Sequence, residues 1–288
     1  MANANGTTLP VDDAVIFTNH KEKQTRGVEK RQGKLLAKIE FLRPFLQDGE
    51  RILLITTACS PIGALEQLTT GWIVFYIKRS LLVFTDRRLF HIPTTRNFDY
   101  RGSIAQINYA DCAELRLRFG SLRVRYQTGR KETFPYVARG ERKKIKSLLT
   151  SLPLDTNPSS KIERTFLCPR CTTSLEKGTE SCKQCRLEFK HRRDARWISI
   201  LLPGGGYFYT RHPVMGFFDA VFELYLLWVI YLYSLGELRT EEGASAVAVM
   251  FTIVLAVEKL VTIYHSNHFL DEFLTVEREV TVRGAHAS

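Results

Sequence analysis

Two apolar stretches, residues 214–236 and 244–264, restrict what this chain can fold into more than any other feature. The first has about 23 residues dominated by Phe, Leu, Val, Ile, Tyr and Trp. At 1.5 Å of rise per residue it is long enough to cross a hydrocarbon core of ~30 Å as one helix. The polar run Gly236-Glu-Leu-Arg-Thr-Glu-Glu-Gly243 separates it from the second, so a transmembrane hairpin is expected over residues 213–265. The mean hydropathy of −0.13 is that of a soluble protein. Averaging conceals that the apolar residues are concentrated between positions 197 and 270.

Lys190, Arg192, Arg193 and Arg196 precede the hairpin, whereas its turn carries only Arg239. The bias of cationic side chains toward the cytosolic side therefore places the N-terminal domains, and after two crossings the C-terminus, in the cytosol. The first ten residues lack the basic and apolar regions of a secretory signal. The expected location is an integral membrane protein, of the inner membrane if the source is bacterial. Asp219 and Glu223, four residues apart, share a helix face at roughly 8–14 Å from the cytosolic end by the helical rise. Glu258 and Lys259 fall at comparable depth on the antiparallel partner, which makes an ion pair of Lys259 with Asp219 or Glu223 geometrically accessible. Ionisable groups at such depth indicate a buried pair, a relay or an ion path.

Cys168-Pro-Arg-Cys171 and Cys182-Lys-Gln-Cys185 are ten residues apart. Each pair sets two thiolates on one tight turn, and four sulfurs can then meet tetrahedrally about one ion. The hairpin-length segment between them lacks a core of its own, so metal would decide its folding. A closed shell of four cysteines has no open coordination position, which favours structural Zn(2+) over catalytic zinc. Iron in a rubredoxin-like site is the remaining alternative. Cys59 and Cys112 lie in strand-like segments and read as ordinary buried thiols.

Between positions 51 and 135 the chain reads as a series of strands: 51–58, 71–78, 80–92, 104–109, 113–119, 121–128 and 131–135. Turns are expected at Phe119-Gly120-Ser121 and Thr128-Gly129-Arg130. Alternation in Glu114-Leu-Arg-Leu-Arg-Phe119 and Leu122-Arg-Val-Arg-Tyr126 sets apolar residues on one face and arginines on the other. Amphipathic helices are expected at 27–46 and 139–152. The run Ser80-Leu-Leu-Val-Phe-Thr-Asp-Arg-Arg-Leu-Phe-His-Ile92 resembles the strand-turn-strand signature of bacterial pleckstrin-homology-like, GRAM-type domains, over roughly residues 35–153. The resemblance implies a hairpin turn with Asp86 accepting backbone N–H groups, and membrane-surface or protein binding in place of catalysis. Pro203-Gly-Gly-Gly-Tyr-Phe-Tyr209 with Gly216-Phe-Phe resembles the Pro-Gly-x-Gly-x-x-Tyr element of small bacterial two-span membrane modules, over about residues 198–264. Its glycines suit close approach between helices.

The expected plan is multidomain: a flexible tail (1–24), and an α+β pleckstrin-homology-like barrel or sandwich with an N-terminal helix and a C-terminal one (25–152). A linker (153–163), a zinc ribbon (164–190) and a basic juxtamembrane segment that is interfacial or re-entrant (191–212) follow. The α-helical hairpin (213–265) and a C-terminal tail (266–288) complete it. A net charge of +11 and a pI near 9.4 favour anionic partners. Arg142, Lys143, Lys144, Lys190, Arg192, Arg193 and Arg196 are the expected contacts with an anionic surface. No nucleophile elbow, phosphate loop or His-rich metal motif is present in the sequence. The leading reading is therefore a non-enzymatic membrane adaptor that engages lipid or a protein partner. A small oligomeric channel or transporter using Asp219, Glu223 and Glu258 is the alternative. Nucleic-acid binding by the ribbon ranks last, because no aromatic platform accompanies its basic residues.

Overall fold

The computed structural model describes residues 9–63, 66–68, 71–152, 162–235 and 244–276 and divides into two units, one ending at Glu188 and the other comprising Phe189–Val276. The fold is α+β, with two helices long and apolar enough to cross a membrane. The linker expected at 153–163 lies almost wholly outside the described residues.

The first unit starts with a short helix, α1 (Asp13–Ile16), capped by the Asp12 carboxylate, which accepts the Val15 N–H at 3.2 Å. Leu9, Ile16 and Phe17 are buried, so this part of the expected tail is packed into the core. The apolar residues between Leu9 and Phe17 follow neither a helical nor a strand period and adjoin a polar run on each side, which is why the sequence reads as tail. Helix α2 (Arg26–Lys38) tightens into a 3-10 turn at Glu40–Phe45, where Pro44 cannot donate to an α-helical ladder. It docks through Gln32, whose amide donates to the Ile55 carbonyl at 2.9 Å and accepts the Ile55 N–H at 3.1 Å.

Strand β1 (Ile52–Cys59) is followed by a 3-10 turn and the helical turn α3 (Val74–Ile77), where a strand was expected at 71–78. A continuous apolar run without alternation does not distinguish helix from strand. Strands β2 (Arg79–Thr85), β3 (Arg88–Pro93) and β4 (Ile104–Asn108) continue an antiparallel sheet from β1. Strands β5 (Cys112–Arg118), β6 (Ser121–Tyr126) and β7 (Lys131–Phe134) form a second, three-stranded sheet, and α4 (Arg142–Ser151) closes against it. One core lies between the two sheets and α4, around Phe84, Tyr109, Tyr126 and Phe134. A second covers the opposite face of the first sheet, around Ile16, Leu36, Ile55, Phe90 and Ile104. Burial on both faces explains why Leu81-Leu82-Val83-Phe84 is uniformly apolar.

At the β2–β3 turn, Thr85 rather than Asp86 caps the reversal. Its hydroxyl accepts the N–H groups of Arg87 and Arg88, at 3.2 and 3.0 Å. Asp86 instead accepts the Arg51 N–H, at 3.1 Å, from the neighbouring strand's entry. Beneath the turn Arg88 forks onto the fully buried Glu50, with Nε–Oε1 at 3.0 Å and Nη2–Oε2 at 2.7 Å, and also donates to the Phe45 carbonyl. The β5–β6 turn is unusual. Phe119 and Gly120 both adopt positive φ, 50° and 77°, the geometry for which Asn-Gly is the common choice. Placing Phe in that left-handed conformation costs about 1–2 kcal/mol, and Phe119 is 86% exposed, so no burial offsets the cost.

Two further strands, β8 (Thr165–Leu167) and β9 (Ser174–Leu175), belong to the cysteine segment. β8 pairs antiparallel with β4, Ala105 opposite Phe166, so the ribbon extends the first sheet to six strands.

The second unit consists of α5 (Arg192–Leu201), α6 (Gly205–Tyr209), α7 (Pro213–Leu235) and α8 (Ala244–Leu270). Helix α8 runs past the end expected for the hairpin, and Phe269, Leu270, Phe273 and Leu274 are buried where a tail was expected. Phe189 bridges to Thr275 and the Lys190 N–H bonds the Leu274 carbonyl at 2.8 Å, closing the unit on itself.

Replacing Glu50 by Ala leaves a buried guanidinium unpaired and is expected to cost about 3–5 kcal/mol, read as faster hydrogen exchange of β2 and β3 amides. Burial pushes the Glu50 carboxyl up, but the bonds from Arg88, the Gln47 N–H and Thr85 outweigh it and hold the group below the usual carboxylate range. Its contribution is therefore present above the unfolded-state value and lost as pH falls through the lower folded one. In the wild type the same amides are expected to lose protection progressively at acid pH.

Candidate metal centre and a polar cluster between the long helices

The two cysteine pairs are held by matching turns. In the first, the Cys168 N–H donates to the Thr173 carbonyl at 2.8 Å and the Thr172 N–H to the Cys168 carbonyl at 2.9 Å. In the second, the Cys182 N–H donates to the Leu187 carbonyl and the Arg186 N–H to the Cys182 carbonyl, each at 2.9 Å. The residue after the second cysteine of each pair, Thr172 and Arg186, takes positive φ, 63° and 55°. This repeated geometry turns both sulfurs of each pair to one side. Cys168 and Cys185 sulfurs stand 3.5 Å apart, as do those of Cys171 and Cys182, and all four lie within 4.8 Å of one another. None is in a disulfide, which would need a sulfur separation of about 2 Å. Tetrahedral zinc with Zn–S near 2.3 Å implies sulfur–sulfur edges of about 3.8 Å. The four sulfurs are thus a metal-binding cluster of dimensions compatible with zinc. Burial holds the Cys168 and Cys185 thiols up, whereas at Cys171 hydrogen bonds from the Thr173 hydroxyl and N–H and from Cys182 outweigh burial and bring the thiol down.

A strip of ion pairs ties this segment to the β7 side of the domain. Arg130 pairs with Glu132, at 3.2 Å, and with Glu163. Arg164 reaches Glu132 at 3.5 Å, and its guanidinium stands 3.3 Å from Nδ1 of the buried His91. Burial first, then Arg164 and Lys78, keep that imidazole well below its usual range and hence neutral.

In the second unit, the side chains facing out from α7 and α8 are apolar: Phe217, Phe218, Leu224 and Trp228 on one helix, Val249, Ile253 and Leu260 on the other are all exposed. The polar groups face inward. Lys259 Nζ lies 2.5 Å from Glu223 Oε2 and 2.7 Å from the Ser199 carbonyl, and Glu223 is fully buried. The other carboxylate oxygen of Glu223 accepts the Gly204 N–H at 3.3 Å. Lys259 therefore meets Glu223 rather than Asp219. The Thr262 hydroxyl lies 3.2 Å from Asp219 and 2.6 Å from Glu258, and the three carboxylates Asp219, Glu223 and Glu258 lie within 4.8 Å of one another.

The segment 197–209 is two short helices broken at Leu202-Pro203-Gly204, which pack on α7 and α8. Leu201 and Leu202 are exposed at the break, while Gly204 to Tyr207 are buried. A Cβ on Gly204, whose φ is +65°, would stand 2.0 Å from the Gly216 carbonyl oxygen. The glycine motif is thus a packing device, and sequence reasoning missed only what it delivers. It carries the Gly204 N–H to Glu223, while the carbonyl that meets Lys259 comes from Ser199 on α5.

The expected surface cations divide. Lys143, Arg193 and Arg196 are exposed. Lys144 is buried and donates to the Ile16 and Thr18 carbonyls, at 3.2 and 2.6 Å, so it is removed from any surface role. Arg142 bonds the Val137 carbonyl at 2.8 Å, Lys190 lies 4.6 Å over the Tyr209 ring, and Arg192 pairs with Asp271. Which cations find a carbonyl, ring or carboxylate within the fold cannot be read from charge alone, which is why they looked equivalent.

Lys259→Met leaves Glu223 buried without its cation and is expected to destabilise the second unit by about 3–5 kcal/mol in detergent. Glu223→Gln in the same chain should recover most of that loss. An equal loss in the double variant would show that the pair is not what holds the helices. No protein-family model, curated protein or solved structure matches this chain.

Proposed function

We propose that the chain is a non-enzymatic integral-membrane adaptor: a cytosolic pleckstrin-homology-like domain and a structural zinc ribbon, anchored by the α7–α8 hairpin. The observation that carries this reading is the inverted distribution of side chains in the second unit, apolar outside and charged inside. Water would penalise so much exposed apolar surface, and a hydrocarbon solvent accepts it while forcing the ionisable groups inward. The break at 202–204 fits the same setting, since non-helical backbone at membrane depth is tolerated only when packed against protein. A four-stranded meander, a three-stranded meander and a closing helix, in that order, support the pleckstrin-homology-like reading of the first unit. Zinc fits as a structural ion because four thiolates complete a tetrahedron and leave no position for substrate. In this reading both termini face the cytosol, and the partners are membrane lipids and a cytosolic protein, with a second copy of the chain as a further partner.

The cluster of Asp219, Glu223 and Glu258 favours one other reading, a small oligomeric channel or transporter. Asp219→Asn with Glu258→Gln separates the two. Normal assembly with loss of an ion flux in proteoliposomes supports transport, whereas unchanged flux, or no flux in either form, supports the adaptor. Protease added to sealed inverted membrane vesicles should digest the domain N-terminal to Glu188, and metal analysis of the purified chain should give one zinc. Protection of that domain, or a metal content near zero, would contradict the respective half of the proposal.

A further inference from the structure

The outer face of the β5–β6–β7 sheet carries Arg116, Arg118, Arg123, Arg125 and Lys131, with Glu114 as its only carboxylate among the described residues. The register puts Arg116 directly opposite Arg123, and Arg125 directly opposite Lys131. Like charges facing each other across strands work against folding. Glu114 lies 3.8 Å from Arg116 and 3.6 Å from Arg125, so one carboxylate is shared between two cations. Arg123 has no carboxylate partner among the described residues. At the tip of the same hairpin, Phe119 occupies a strained left-handed position with its ring in solvent, and the Arg118 guanidinium lies 4.9 Å from it. Neither the paired cations nor the exposed ring serves the turn, the strand register or the core. Backbone strain and unfavourable surface chemistry that the fold does not use are the marks of a recognition site.

We propose that this sheet face, with Phe119 at its tip, docks on an anionic bilayer surface. The proposal rests on the reading of α7 and α8 as membrane spans. A sheet face carrying five cations matches a planar array of phosphates, and an aromatic side chain flanked by arginine suits the interface between headgroups and acyl chains. The chain that carries the face also carries the helices, so the bilayer is present at high effective concentration and no separate partner must be captured. A single-stranded nucleic acid would call for several stacking platforms along the groove, and Phe119 is the one exposed ring at this hairpin's tip.

The test is arginine footprinting with phenylglyoxal on the full chain reconstituted in liposomes of phosphatidylcholine alone or with phosphatidylglycerol, read by mass spectrometry. Phosphatidylglycerol should lower the reactivity of Arg116, Arg118, Arg123 and Arg125 by about fivefold or more, as expected when each basic residue gains appreciably at an anionic surface. High salt should reverse this protection. The exposed Arg43 should not change. Arg123→Glu turns a like-charge cross-strand pair into an opposite one, so folding is not threatened, and protection of the remaining arginines should fall. Phe119→Ser should lower it as well. Equal reactivity in both lipids, with the chain still floating with the liposomes through a high-salt gradient, overturns the proposal while leaving the spans intact. A chain that leaves the liposomes overturns the membrane reading and the proposal with it. Protection by soluble heparin or an acidic polypeptide, but not by phosphatidylglycerol, replaces the bilayer with a soluble acidic partner.

Discussion

The ion pair between Glu223 and Lys259 organises the second unit. Both residues occupy helices whose outward side chains are apolar, so neither charge has an external partner of comparable strength. Together they draw α7 and α8 into contact, and further bonds to each come from backbone groups of α5 and of the break that follows it. The Gly204 N–H completes Glu223, and the Ser199 carbonyl completes Lys259. A buried ion pair left to itself is of doubtful benefit, because desolvation of both charges competes with their attraction. Extra backbone partners at both ends shift that balance, and the glycine at 204 lets the chain come close enough to supply its N–H, since a Cβ there would meet the Gly216 carbonyl oxygen.

The cysteine segment solves a different problem by a related device. Its own apolar residues are few, yet β8 adds to β4 and covers what would otherwise be an open sheet edge. Metal binding would then stabilise the segment and, through the β4–β8 ladder, the edge of the larger domain. The ion pairs of Arg130, Glu132, Glu163 and Arg164 lie along the same connection.

Local chemistry made some elements legible in the sequence and tertiary context hid others. The cysteine spacing, the two long apolar helices and the alternation in β5 and β6 follow directly from side-chain period and ligand geometry. The helical turn at Val74–Ile77 did not, because an apolar run carries no period to choose by. Leu9 and Phe17 are core residues in a polar segment whose burial depends on a distant sheet face. Lys144 looked like its exposed neighbour Lys143, and only the position of the α1 carbonyls distinguishes them. The acid positions in the hairpin were legible, but the pairing of Lys259 with Glu223 in place of Asp219 depends on tertiary neighbours, the Gly204 N–H at Glu223 and the Thr262 hydroxyl at Asp219. The turn-capping role passed from Asp86 to Thr85 for a similar reason, since Arg51 claims the aspartate.

Alkaline carbonate extraction of membranes containing the full chain tests the central claim most directly, namely that the apolar exterior of α7 and α8 is solvated by lipid and the charges between them are interior. Retention in the membrane pellet, with release only by detergent, is the expected result. Release into the carbonate supernatant as a folded chain would contradict it, and would mean that these helices are covered by protein instead.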